Sequence, residues 1–584
     1  MKKKFFVFAF ILISPLLLAF AKRFGGARWR PARRLWLILL LAVGGDGGEV
    51  FCQKILKDTM LHVVKSFQPT IADAYKINDM PLVKDSVPPA PQLSYSINPK
   101  KISTPFNVEA IKPAKMVGEP LTKLYTTLIK IGAGNYTTPY AEIFYNNLRS
   151  KEGSYGAHLK HFSSKSTLEG NGFSGFSDNQ IGLYGKKFLR KSTLSGNLDY
   201  NRNVIHYYGY DTSLLDIINS NYTRQRYSTI GGNAALQSHH TDSTHINYLV
   251  NLKYYNLSDY YKNSENNINV IGDLSGYYEK QLVHIPVSID YYHTRAKDTA
   301  NEINIGLNPY INSSGKKWNA RIGIGLQLEK ILMRRSARFL FYPNIDFNYN
   351  VFENIIIPYV GVTGGFKKNS LKTLTDENPF LVPGPNISNT SEKWKAYGGL
   401  RGSISKTISY NTSTSFGKSD NIPLFINDNT DTLIKGFNML YDHGSLWNIH
   451  GELQYQHTEK IKIIAKGDYN KYEMEGEIKP WHKPLWEGSI LVNYNLKNKI
   501  SVTADLFLHG KRYAKVLQND SLVSVFTTKE LKNVVDMNLG LEYRYTKKLS
   551  AFLHLNNLGF QRYMLWNNYP VHRLNFLMGI TLAL

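Results

Sequence analysis

The chain is short of several things that would narrow its class. It has one cysteine, Cys52, in 584 residues, so neither a disulfide framework nor a cysteine-based metal site is available. After residue 50 it has no run of 18 or more apolar residues, which excludes a helical membrane protein for the main body. Acidic residues are scarce: 45 Asp and Glu stand against 70 Lys and Arg, a formal charge of +25. The first 52 residues carry 9 basic and 2 acidic side chains, or +7, leaving +18 on the remainder. That excess favours anionic neighbours: lipid phosphates, acidic solutes or nucleic acid. Nucleic acid is the weakest of these, because the basic residues are scattered singly and no helix-turn-helix, zinc-finger or RRM signature occurs.

What the chain does have is alternation. In residues 535–558, Val535, Met537, Leu539, Leu541, Tyr543 and Tyr545 point one way. Asp536, Asn538, Gly540, Glu542 and Arg544 point the other, as the two-residue period of a strand requires. After Thr546–Lys548 the pattern restarts with Leu549, Ala551, Leu553 and Leu555 against Ser550, Phe552, His554 and Asn556, an antiparallel hairpin with a short turn. Residues 486–510 repeat it, with Trp486, Ile490, Val492 and Tyr494, then Ile500, Val502, Ala504, Leu506 and Leu508, on the apolar face. Trp447, Ile449, Leu453 and Tyr455; Ile322, Ile324, Leu326 and Leu328; and Ile345, Phe347, Tyr349 and Val351 are further cases. About 22 such segments fall between residues 121 and 584.

A sandwich and a membrane barrel share this local signal. Charge decides between them: a face carrying Asp536, Glu542, Arg544 and His554 cannot be a dry core, since unpaired buried charge is costly. Lipid against the leucine face and water against the charged face satisfy both. Eleven residues from Val535 to Tyr545 at roughly 3.3 Å each span about 36 Å, enough to cross an apolar slab of about 25 Å at a tilt of about 40°. Tyr455, Tyr494, Tyr543 and Tyr545 sit on the apolar face before short turns, where an aromatic girdle belongs. Short turns such as 497–499 and 546–548 alternate with long polar segments, read as 367–392, 417–431 and 515–532. The expectation is an all-β, transmembrane, antiparallel up-and-down β-barrel of about 22 strands over 121–584, with a short N-terminal extended segment.

Ahead of the barrel, Lys2–Lys4, the apolar stretch Phe5–Ala21 and the Ala19-Phe20-Ala21 site read as a signal peptide. A second basic-then-apolar unit follows, from Arg28, Arg30, Arg33 and Arg34 into Leu35–Val43, so 1–52 is taken as a targeting region with maturation near Gln53. Residues 53–120 are proline-rich, poor in alternation and read as a periplasmic linker.

The carboxyl end carries Asn557-Leu558, Tyr563, Tyr569-Pro570, Arg573 and the terminal NFLMGITLAL. These resemble the ending of TonB-dependent receptors, in which the last strand is also the insertion signal read by the barrel-assembly machinery. Two positions depart from that pattern: Leu584 is not aromatic, and Val571-His572 precedes the arginine. The stretches VGEPLTKLYTTLIKIGAGNYTTPYAEIFYNNLRS and VVKSFQPTIADAYKINDMPLVKD resemble a Bacteroidota group of outer-membrane barrels commonly labelled TonB-dependent-receptor-like. The resemblance implies a cell outer-membrane location, transport or passage of a solute, and as neighbours lipid, lipopolysaccharide, and TonB or a periplasmic or lipoprotein partner. A receptor's plug domain needs more than the 68 residues of 53–120, so no plug is expected. Asp58-Thr59-Met60 with Val63-Val64 is only faintly similar to a TonB box. The alternatives are a structural or assembly barrel that anchors partners, and an outer-membrane hydrolase without a named site.

Little else points to chemistry. His158 and His161, three apart, fall on opposite faces of a strand and cannot share a metal. His239-His240 reads as a loop edge. Asn427–Thr432 has oxygen ligands but lacks the glycine and distal glutamate of a calcium loop. Gly361, Gly364 and Gly365 lack P-loop spacing. The tyrosine pairs 207–208, 254–255, 260–261, 277–278 and 291–292 read as girdle plus lumen. The expectation is therefore a monomeric non-enzyme with no catalytic, cofactor-binding or metal residue, no cofactor and no nucleic-acid partner.

Overall fold

The computed structural model describes residues 124–584 except 149, 211–218, 297–298, 334, 429–434 and 521–522. The targeting region, the linker and the Asp58–Val64 segment lie outside the described residues. Successive strands pair antiparallel around the sheet, and the first, Thr127–Gly134, pairs with the last, Asn575–Ala583, so the sheet closes. Thr299–Leu307 and Tyr310–Ser314 both pair with the strands Gln281–Arg295 and Trp318–Ile331. They are one strand broken at Asn308-Pro309, because proline has no N–H to give the ladder. Counted this way the barrel has 22 strands.

The faces fall as the alternation requires. Outward side chains are apolar and exposed, among them Ile131, Leu198, Ile230, Ile322, Phe341, Val360 and Met578. An exterior of this extent cannot face water, and the barrel is transmembrane. Tyr543 and Tyr545 are exposed beside the short turn 545–548. Inward side chains pair across neighbouring strands: Lys130 with Glu142 (3.7 Å), Arg338 with Glu329 (3.0 Å), Lys466 with Glu452 (3.4 Å), and His509 with Glu487 (3.1 Å). His158 faces inward to Glu142 (3.0 Å), whereas His161 faces outward to Asn179 (2.6 Å) and ends the apolar stretch of its strand.

At the seam the sequence makes room for a ring. Gly132 and Gly579 face each other across the first and last strands, with Phe552 against both; a Cβ on Gly579 would lie 2.6 Å from that ring.

The two ends of the barrel differ. At one end every connection is short, from the two residues 279–280 to 239–246. Lys497 and Asn498 (φ 50° and 57°) form a left-handed two-residue turn, closed by the Lys499 amide donating to the Leu496 carbonyl (2.9 Å), the geometry that twists with a hairpin. At the other end lie the long connections 207–223, 368–389, 475–485, 510–533 and 557–574.

Two of the expected loops are corrected. Residues 417–427 belong to the strand Ile408–Asn427, and the loop runs from 428 to 436. Residues 515–532 lie largely in a separate hairpin, Arg512–Asp520 with Val523–Leu531, outside the barrel sheet. Polar composition suggested loops in both places, but register with a partner strand supplies the backbone bonds there.

Candidate functional site

Among the described residues, the long-loop end carries the most structured part outside the wall. The strands Ile408–Asn427 and Phe437–His457, of 20 and 21 residues, overshoot what a bilayer needs. Their pairing shifts between Ser419 and Ile422, where Asn421 has φ 55°. A bulge of this kind bends a strand, and the segment beyond it carries Phe425, Phe437 and Met439 into a hydrophobic cluster with Tyr207, Leu374, Leu381 and Tyr569. All seven are buried, and burying each such side chain contributes about 1.5–3 kcal/mol.

Position around the barrel gives the cluster its meaning. Tyr207 follows the fifth strand, Phe425 sits on the fifteenth, and Tyr569 lies between the last two. Residues rooted on nearly opposite walls can pack together only by crossing the mouth, so these loops form a cap over it. Hydrogen bonds tie it. Tyr207 Oη donates to the Leu381 carbonyl (2.5 Å), Tyr569 Oη to that of Lys435 (2.8 Å), and Tyr208 Oη to that of Pro570 (3.1 Å). Phe380 stacks on Tyr569 at 3.9 Å. Burial pushes the Tyr207 and Tyr569 hydroxyls well above the usual phenol range, so both remain donors. Arg512, buried on the separate hairpin, donates to the Leu565 and Met564 carbonyls (2.9 and 2.8 Å).

His482 is a further anchor. Its Nδ1 donates to the Phe425 carbonyl (2.9 Å), and its Nε2 accepts from the Asn567 amide (3.4 Å), which suits a neutral ring. Burial, with Arg512 and Lys483 nearby, holds it down to about 4.

The loop 368–389 is latched to the inner wall. Ser370 caps the helix Leu371–Glu377, its hydroxyl accepting from the Thr373 amide while Thr373 bonds back. The first helical amides need acceptors, and Glu265, fully buried on the wall, takes those of Leu371 and Lys372 (2.7 and 3.2 Å). Lys368 pairs with Glu302 (2.6 Å), and Asn389 donates to Glu302 and Glu329 (2.6 and 2.7 Å). Three carboxylates spaced along inward faces thus hold one loop.

The cap also relocates residues read from sequence. Tyr207 and Tyr208 belong to it, not to girdle or lumen, because they lie past the strand end; Tyr261 packs against it too. Tyr254 and Tyr291 do face outward, with Tyr255 and Tyr292 inward. His239 and His240 lie in the short connection 239–246, and Gly361, Gly364 and Gly365 in the strand Ile357–Lys367. Most of Asn427–Thr432 lies outside the described residues, and among the described residues no group of three metal-type side chains converges. A serine and histidine do meet: His572 lies between Ser166 (3.4 Å) and Ser174 (3.5 Å). Ser174, however, donates to the Ser166 carbonyl (3.1 Å), and with both ring nitrogens facing serines no carboxylate orients the imidazole as a relay requires.

No protein-family model matches the chain, and no curated protein matches it. Solved structures do. The barrel is similar to the ferripyoverdine receptor of the outer membrane of Pseudomonas aeruginosa, with TM-score 0.59 and 12% identity over 80% of this chain and 72% of that one. It is similar to the ferric-catecholate import receptor Fiu of E. coli K12, with TM-score 0.59 and 10% identity over 79% and 82%. The siderophore receptor PiuA of Acinetobacter baumannii gives the same values. At these identities the likeness is one of fold, and it agrees with the resemblance of the carboxyl end.

Proposed function

We propose that the protein is an outer-membrane passage for a solute, gated by its loop cap. The observation that carries this reading is a polar inner wall beneath loops that cross the mouth from opposite sides and are fastened by a few replaceable contacts. In this reading the long loops face outward and the short turns face the periplasm. Arg202, Arg224 and Arg226 lie on the outward faces near the long-loop rim, where they would meet lipopolysaccharide phosphates. The similar receptors support transport, and insertion by the barrel-assembly machinery and energy from TonB or a periplasmic or lipoprotein partner follow as further parts of the proposal.

The test is conductance of the purified protein in planar bilayers. Glu265→Gln removes the wall carboxylate under the helix, and the open probability should rise several-fold while strand content stays the same. A barrel that stays silent in both forms favours the anchoring alternative.

A further inference from the structure

A cavity of about 350 Å³ lies where the cap meets the wall. Two of its sides come from the cap, Tyr208 and Phe380, whose rings meet edge to face at 87° and form a corner. Phe176, at the start of the fourth strand, is another aromatic side. The polar side is the inner wall: Asp536, Asn556 and Asn575.

Charge in this cavity runs against that of the whole chain. Although the protein carries +25, no lysine or arginine lines the cavity among the described residues, and its one carboxylate is Asp536. Two histidines also line it: His206, whose Nδ1 donates to the Gly175 carbonyl (2.7 Å), and His572, which burial lowers so that it adds no positive charge at neutral pH. Asp536 is half used. Its Oδ2 accepts from Tyr563 Oη (2.5 Å), while Oδ1 is shielded from solvent and has no hydrogen-bond partner. A shielded carboxylate oxygen without a donor is costly; a ligand in the cavity does not touch Oδ1 itself, but a positive charge beside the carboxylate offsets that cost through space. Aromatic faces around a carboxylate are the surroundings that recognise ammonium groups, through the ring quadrupole and the formal charge together.

We infer that this cavity is a binding site for a small organic cation, an amine or quaternary ammonium, seated between Asp536 and the Tyr208–Phe380 corner. The inference deepens the passage reading and rests on it: the site lies on the route, and its aromatic walls belong to the gate. An occupant would touch cap and wall together, so its arrival would be felt by the loops that cover the mouth. The anionic cargo suggested by bulk charge does not suit this site.

Calorimetric titration of the detergent-solubilised full chain tests it, with choline chloride, glucose and inorganic phosphate as probes. Choline should bind saturably, and the other two should not. Asp536→Asn should weaken choline at least about tenfold, the scale of a lost charged contact. Tyr563→Phe removes the same hydroxyl bond but keeps the carboxylate, so it should retain choline binding; if both variants lose it equally, the effect is structural and the inference fails. Saturable binding of glucose or phosphate in place of choline, or no binding of any probe, also overturns it. The passage reading fails separately, by absent conductance: choline binding to a silent barrel would keep the site and discard the passage, and a conducting barrel that ignores choline would do the reverse.

Discussion

In the wall, register chooses each residue's neighbours. Lys466 meets Glu452 because their strands pair at those two positions (3.4 Å), and the same rule sets His509 beside Glu487. In the cap no such rule operates: Tyr207 donates to Leu381, 174 positions away, and Tyr569 to Lys435, 134 positions away. The wall spreads its stability over a closed ladder of backbone bonds, so one lost side-chain pair changes little. The cap depends on a handful of anchors, so one lost anchor loosens it while the barrel stands. The gating proposed above needs this division.

The largest expected effect breaks the wall at its seam, one of the places where side-chain size is critical. Gly579→Val sets a branched Cβ against the Ile131 carbonyl and the Phe552 ring at the seam. Overpacking costs about 1–3 kcal/mol even where neighbours can yield, and here one neighbour is backbone. Heat-modifiable gel mobility should report loss of most of the folded barrel, and Gly579→Ala a smaller loss.

Tyr569→Ala should do the opposite, emptying the centre of the cap at a cost of about 3–5 kcal/mol. Proteolysis within 368–389 and 557–574 should accelerate, with strand content unchanged. Equal damage to the wall would show that the two regions unfold as one.

Acid should loosen the same region. His482 is held at about 4 in the packed cap against an ordinary 6.5. Loops that have come apart take up a proton below pH 6.5 that the packed cap refuses. Cap stability is therefore fully present above pH 6.5 and declines as pH falls toward 4, by up to about 3 kcal/mol. Hydrogen exchange of 475–485 followed against pH should show this, and His482→Gln should flatten the profile.

The smallest effect sharpens the contrast. Lys466→Ala removes a part-exposed pair on the inner wall and should change unfolding by less than about 1 kcal/mol.

Legibility in the sequence follows the same division. Segments such as 486–510 and 535–558 announce their faces because each outward position is apolar and each inward one polar, and a strand's geometry is local. The count of about 22 strands and the turns at 497–499 and 546–548 were readable for that reason. Residues 417–427 misled because Asn, Ser and Asp are loop-like by composition, yet they pair in register with a partner strand 10 to 29 positions away. Tyr207-Tyr208 misled because a tyrosine pair has no periodicity once the strand has ended. Glu265 gave no signal: an acidic residue on an inward face looks the same whether it meets water or the start of a helix.

The sequence by itself determined the barrel, its inside and outside, and which end carries the long connections, since a two-residue period acts between a residue and its immediate neighbours. Only the tertiary structure decided that those connections fold across the mouth, that Glu265, Glu302 and Glu329 hold one of them, and that Asp536 lines a cavity together with Tyr208 and Phe380. These are meetings between residues rooted on different walls, and closing the cylinder is what brings them within reach.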